Sequence, residues 1–278
     1  MKFGMFYFPT DYGIQMPELA PAIEERGIES LFVCEHTHIP ASRKTPFPAG
    51  GELPKKYIHT HDPFIALSFA AAVTKKLVLG TGICLVPQHD PIVLAKVIAS
   101  LDMLSGGRFE FGIGGGWNED EMNNHGVAHK TRFKQMREHT DAMRAIWTQE
   151  EASYSGEFVN FEKIWSYPKP VRKPHPPILL GGETDYTLRR IAEYCDGWIP
   201  RGGANWDAKR DVARLHAMAE KHGRDPKELS TTVFRGPMTP AEVEAHREAG
   251  IDRVLYEVPD APRDEQLRAL DDVVKLMG

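Results

Sequence analysis

The sequence predicts a parallel (β/α)8 TIM barrel formed by residues 1–278 as a single domain, on three observations. Short apolar runs of strand length alternate eight times with amphipathic stretches of helix length. Residues 25–33 (ERGIESLFV) and 248–256 (EAGIDRVLY) repeat one joint: a helix end, a glycine cap, then a strand, as a β/α repeat requires. Parallel neighbours need crossover helices. Eight such units favour closure over a doubly wound open sheet, which would leave two exposed edges.

Taken in order, residues 2–8 (KFGMFYF) form the first apolar strand. Pro17 opens the first helix in its first turn and Gly27 closes it. The second strand is 30–34. The connection 36–61, rich in proline and glycine, is too long for an idle loop and predicts a lid or binding loop. A helix over 62–74 leads to the third strand at 77–84 (LVLGTGIC). The helix over 91–105 sets Ile92, Ala95, Ile98 and Leu101 on one face, and the fourth strand follows at 109–113. In the helix over 131–147, Phe133, Met136, Thr140, Met143 and Trp147 make a core-facing stripe. Residues 153–161 read as a small hairpin on the rim.

Strand five is 177–180, with a helix from about Thr184. Strand six is 198–199, and the helix over 207–222 is capped by Gly223. After strand seven at 231–234, Thr239 and Glu242 form a capping box around Pro240, and Gly250 ends that helix. Strand eight is 253–258, and Leu267, Leu270, Val274 and Met277 stripe the last helix.

At 41% hydrophobic and 26% charged, the chain has material for one large core. A formal net charge of −5 without a basic block argues against a nucleic-acid partner. No apolar run reaches membrane-spanning length, and the N-terminus shows no signal-peptide pattern. Cys34, Cys84 and Cys195 have neither zinc-knuckle nor disulfide spacing. Each reads as a small core hydrophobe, and the expected setting is a reducing cytoplasm.

In such barrels the site is built from the loops that follow the strands. Four of these loops carry paired or near-paired glycines: Gly80 and Gly82, Gly114-Gly115-Gly116, Gly181-Gly182, and Gly202-Gly203. Glycine admits close approach of a flat ligand or a phosphate. Gly181-Gly182, followed by Glu183 and Thr184 at a helix N-terminus, predicts an anion seat, to which Arg201 on the next loop would add charge. The run Gly112-Ile113-Gly114 is not a dinucleotide fingerprint, because Trp117 occupies its third glycine position. His36 and His38 could form a metal pair, with His59 and His61 a loop away. Segments 177–181, 197–201 and 230–236 contain no histidine, and only Asp196 lies nearby as a further ligand. Acid/base work by His36 is therefore the preferred reading, with no metal.

Several stretches, in this order, carry a family resemblance. They are Phe32-Val33-Cys34-Glu35-His36, then Leu79-Gly80-Thr81-Gly82-Ile83 followed by His89-Asp90-Pro91. Next come Leu104-Ser105-Gly106-Gly107-Arg108-Phe109 and Gly112-Ile113-Gly114-Gly115-Gly116-Trp117-Asn118, then Arg132-Phe133 and Ile146-Trp147. Last are Pro177-Ile178-Leu179-Leu180-Gly181-Gly182 and Asp196-Gly197-Trp198. Together they resemble the bacterial luciferase-like family of flavin and deazaflavin barrel oxidoreductases, over roughly residues 1–200 and more faintly beyond.

The resemblance implies a tricyclic cofactor in the barrel mouth with its phosphate on the loop after strand five. It assigns cofactor contacts to Glu35, Gly82, Ile83, Gly114, Gly115, Gly116, Trp117, Gly181, Gly182, Glu183, Thr184 and Arg201, and places a cis peptide at Gly82-Ile83. It makes His36 the catalytic proton donor or acceptor. Some deazaflavin relatives carry an acid where this chain has Trp117, so the resemblance supplies no second acid there. The compact chain looks most like the branch using coenzyme F420, which moves hydride. The alternative is an FMN-dependent monooxygenase; from other classes come a metal-dependent hydrolase on His36 and His38, and a non-catalytic binding barrel. A homodimer and a small-molecule substrate are implied. Phe8, Tyr12 and the 36–61 loop are expected to shape a pocket for an apolar or aromatic guest.

Overall fold

The computed structural model describes residues 1–203 and 206–278. In chain order the first half comprises β1 (Lys2–Tyr7), α1 (Met16–Glu25), β2 (Ser30–Val33), α2 (Lys56–His59), α3 (Pro63–Val73), β3 (Val78–Thr81), α4 (Pro91–Leu104), β4 (Phe109–Ile113) and α5 (Glu119–Asn124). There follow α6 (Arg132–Thr148), β5 (Ala152–Ser155), β6 (Asn160–Ile164), β7 (Ile178–Gly181), α7 (Asp185–Tyr194), β8 (Gly197–Ile199), α8 (Ala208–Lys221), β9 (Ser230–Phe234), α9 (Pro240–Glu248), β10 (Arg253–Glu257) and α10 (Arg263–Met277).

Eight parallel strands close into a barrel in the spatial order β1-β10-β9-β8-β7-β4-β3-β2. The seam is made by β1, whose Phe3 lies opposite Val254 on one side and whose Gly4 lies opposite Ser30 on the other. β5 and β6 pair antiparallel as a separate ribbon, the expected hairpin. The strands are apolar along their length because helices cover their outer faces and side chains fill the interior. In β2, for example, every residue is buried.

Side-chain caps aim the helices. Asp62 accepts from the Ile65 amide ahead of Pro63, and Asp90 accepts from the Ile92 and Val93 amides ahead of Pro91. Thr184 accepts from Thr187, Asp207 accepts from Arg210, and both halves of the Thr239–Glu242 capping box are formed. Inside the barrel, Phe32, Leu179, Ile199 and Leu255 form a small apolar cluster on which Phe6, Ile83 and Phe234 pack. Below it Arg253 plugs the barrel, 2.7 Å from Glu110 and 2.8 Å from Glu29. Burial works against the Arg253 charge, but the two carboxylates outweigh it and hold its proton above the ordinary value.

Five sequence expectations shift in the structure. The third strand ends at Thr81, after which the chain leaves the ladder and Cys84 keeps one isolated bridge to Ile113. The 36–61 connection contains the single-turn α2, and α5 lies in what reads as loop. In α4, Ile92 is exposed rather than on the core face. On α10 the buried positions are Gln266, Leu270 and Val273, so the stripe is rotated and Val274 faces outward. Gln266 takes an inner position because it accepts from the Ile14 amide and donates to the Pro259 carbonyl.

Candidate active site

The strand ends open into a cavity of about 980 Å³. Its floor is the inner apolar cluster, through Phe6, Ile83, Ile199 and Phe234. Its size is at the upper end for a small-molecule site.

One wall is a flat slot. The Gly82-Ile83 peptide bond is cis, the geometry the family resemblance implies at this point. Gly114 lies against Ile83 so closely that a Cβ there would stand 1.8 Å from Ile83 Cδ1. Gly115, Gly116 and Trp117 continue the same wall. Across the slot, Gly181, Gly182, Glu183 and Thr184 bring β7 into α7. Gly182 has φ +114°, a conformation that disfavours side chains, and a Cβ would also meet Thr187 Oγ1 at 2.9 Å.

His36, just after β2, lines the cavity, and its Nδ1 lies 2.8 Å from Glu121 Oε2 on α5. Both side chains are buried, at 6% and 1% exposure. A carboxylate can only accept, so Nδ1 carries the proton and Nε2 is left for the cavity. The ring is wedged between Tyr57 and Trp117, with centroids 5.4 and 5.8 Å away. Glu121 itself does not line the cavity and acts through His36. It is the acid that the resemblance did not supply at Trp117, one helical turn further along.

Three of the expected residues have neighbours that the sequence does not show. Glu35 reaches the cavity wall, but both its oxygens are spent: Oε2 accepts from the Leu85 amide at 2.5 Å and Oε1 meets His89 Nε2 at 2.7 Å. Burial would raise the Glu35 proton affinity; the His89 and Leu85 contacts prevail and hold it below the ordinary value, while His89 is held above its own. Glu35 therefore braces the segment that follows Ile83. Arg201 and Glu183 both line the cavity and are bound to each other, at 2.8 Å through the Arg201 amide and 3.0 Å through the guanidinium, so part of the Arg201 charge is already matched. Tyr12 lies outside the cavity, 43% exposed, with its hydroxyl 3.1 Å from Asp260. Phe47 and Tyr57 from the long connection take its place, beside Phe8.

Two cations missed in the sequence line the same cavity, with Arg132 and Phe133 beside Gly115. Arg132 and Arg190 lie on Phe133, at 4.3 and 4.1 Å from the ring centroid, and all three line the cavity. Arg132 donates one bond to the His129 carbonyl, while its Nε is buried without a partner. Burial, and for Arg132 the neighbouring Arg190 charge, hold both guanidiniums below their ordinary value. An anion supplies what such a pair lacks. The glycine slot and this unspent pair fit a flat ring carrying a phosphate.

The histidine pair does not converge. His38 is turned to Thr37 Oγ1 and the Asn124 side chain, at 3.0 and 2.9 Å. Glu35, Cys84 and His89 bring three potential ligand atoms within 4.8 Å of one another. Their chemistry is that of an ion pair, however, since the carboxylate is committed to His89 and burial pushes the Cys84 thiol up.

A cavity of this build, on the strand-end rim of a closed parallel barrel, belongs to the α/β-barrel enzymes. Within that class the chain belongs to the luciferase-like monooxygenase family, whose model matches residues 1–272. The family comprises oxidoreductases and monooxygenases, with both F420-dependent and FMN-dependent neighbours of this chain. An uncharacterised protein of Mycobacterium tuberculosis is 41% identical over 271 residues, 95% of this chain and 94% of that one. An FMNH2-dependent dimethylsulfone monooxygenase of Pseudomonas putida is 30% identical over 56% of this chain and 44% of its own length. Among solved structures, the monooxygenase RslO1 of Streptomyces bottropensis superposes with a TM-score of 0.80 at 20% identity, over 100% of this chain and 98% of that one. An F420-dependent secondary alcohol dehydrogenase does so with a TM-score of 0.76 at 17% identity, over 100% of each. At such identities these two likenesses concern the fold.

Proposed function

We propose that the protein is a coenzyme F420-dependent oxidoreductase that moves hydride to or from a small organic substrate, with His36 handling the accompanying proton. The observation that carries this is the His36–Glu121 pair. It fixes one tautomer and leaves Nε2 at the cavity, as oxidation of an alcohol or reduction of a carbonyl requires. Arg132 and Arg190 would hold the cofactor phosphate, and Ile83 with Gly114, Gly115 and Gly116 would flank its ring. Bound there, a deazaflavin supplies a hydride carrier, whereas FMN would supply oxygen activation. The aromatic walls give the slot an apolar lining, and Glu121 keeps the imidazole oriented. The F420-dependent secondary alcohol dehydrogenase shows that the same fold can carry this chemistry.

The second reading, an FMN-dependent monooxygenase, is favoured by the superposition on RslO1 and by the dimethylsulfone relative. A homodimer and a cytoplasmic setting belong to the same proposal. They are supported by the apolar outer face of α3 and by three buried, unpaired cysteines. Oxygen uptake with each reduced cofactor separates the two reactions. We expect no uptake above background with reduced F420, and none coupled to product with FMNH2. FMNH2-driven uptake that inserts oxygen into an organic substrate would overturn the reductase reading.

A further inference from the structure

The cavity mouth holds cations beyond the pair on Phe133. Lys56 is paired with Glu257, and Arg201 with Glu183. Arg235, the first residue after β9, lines the cavity and has no carboxylate partner among the described residues. Its backbone is unusual as well: φ is +58°, a left-handed conformation that an arginine adopts at an energetic cost. The neighbouring Gly236 amide is pinned to the Leu255 carbonyl at 3.0 Å. On the adjacent β8 loop, the Cβ position of Gly203 lies 3.5 Å from Arg235 Nη1, which places the guanidinium beside that loop.

Arg235 is itself exposed at the mouth, and the wall that begins at its neighbour Phe234 is apolar. Phe234 packs on Phe6 at 4.8 Å, Phe6 on Phe8 at 5.4 Å and Phe8 on Tyr57 at 4.7 Å, an unbroken aromatic wall from the floor to the ring beside His36. In the closed sheet order β9 is separated from β7 by β8, so Arg235 sits on a different sector from Arg132 and Arg190. The cavity's cations without a carboxylate partner among the described residues therefore fall in two sectors, Arg132 and Arg190 beside Phe133 and Arg235 next to Phe234.

We propose that Arg235 is a specificity-determining residue that receives the carboxylate of an otherwise apolar aryl or alkyl substrate. This rests on the reading above, in which the glycine slot and its two arginines serve the cofactor. The substrate's apolar body would lie on Phe6, Phe8 and Phe234, with its reacting oxygen toward His36 and its carboxylate held by the guanidinium fork.

The test uses matched carboxylates and amides, phenylacetate with phenylacetamide and octanoate with octanamide. They are titrated into the purified full-length protein by tryptophan fluorescence and thermal shift. Wild type, Arg235→Gln and Arg235→Lys are each also titrated with F420 and FMN. We expect at least one carboxylate to bind wild type about tenfold or more tighter than its amide. That preference should vanish in Arg235→Gln and return in part in Arg235→Lys, with cofactor affinity held within about twofold. Three results would overturn the inference: no carboxylate preferred by wild type, a preference retained in Arg235→Gln, or an equal loss of cofactor binding in that variant. If wild type prefers the carboxylates through Arg235 but binds neither cofactor, the anion site stands and the oxidoreductase reading falls.

Discussion

Replacing Glu121 by glutamine removes the charge that orients His36 while keeping nearly the same volume. The bond at stake is 2.8 Å long between two buried side chains, and such a charge-assisted hydrogen bond contributes about 1.5–3 kcal/mol. Glutamine can accept through oxygen or donate through nitrogen, so the imidazole would no longer be confined to the tautomer with Nδ1 protonated. If that energy is expressed in the transition state, turnover falls by roughly 10–100-fold at tenfold per 1.4 kcal/mol. Glu121 does not line the cavity, so cofactor affinity should stay within about twofold. Two measurements check this: single-turnover kinetics followed through the bound cofactor's own absorbance, and nitrogen NMR of the His36 ring. The wild-type ring should show protonated Nδ1 and the variant a mixture. An unchanged tautomer with unchanged turnover would refute the positioning role, as would a loss of cofactor binding as large as the loss of turnover.

The Glu35–His89 pair makes stability depend on pH. Burial opposes both charges, yet Glu35 is lowered and His89 raised from their ordinary 4.5 and 6.5. The glutamate contribution is present above its unfolded value and lost as pH falls through its lowered one. The histidine contribution is present below its unfolded value and lost as pH rises through its raised one. His89→Ala should therefore cost about 2–3 kcal/mol between the two ordinary values and about 1 kcal/mol at high pH, read from urea midpoints. Arg132→Met and Arg190→Met should each weaken FMN or F420 binding by about 10–100-fold but leave riboflavin, which lacks the phosphate, nearly unaffected in competition titrations. On α3, Ile65, Phe69 and Val73 are 61%, 57% and 42% exposed at four-residue spacing. Light scattering of Ile65→Asp/Phe69→Asp should give a monomer where wild type gives a dimer.

The barrel was legible because its signals are local: period, glycine caps, and Asp-Pro or Thr-Pro helix starts that act within one turn. Glycine slots and His36 were legible for a related reason, since both follow strand ends that the pattern locates. What joins distant segments was not. Glu119, Asp120 and Glu121 are one acidic run to the eye, and only folding buries Glu121 against a histidine 85 residues away. Arg201 looked like a free cation until β7 and β8 paired and brought Glu183 to it. Arg132 and Arg190 lie 58 positions apart and meet only through Phe133. Tyr12 follows β1 as a rim aromatic should, but its hydroxyl is drawn outward to Asp260.

The most direct measurement is equilibrium titration of the purified protein with F420 and, separately, with FMN, read through tryptophan fluorescence, since Trp117 lies in the cavity wall. The account expects micromolar binding of F420, weaker binding of FMN, and loss of both in Gly182→Asp, which places a charge and a side chain at φ +114° beside the proposed phosphate seat. Tight FMN binding without a response to F420 would contradict the hydride-transfer reading in favour of a monooxygenase, and binding of neither would contradict the cofactor site itself.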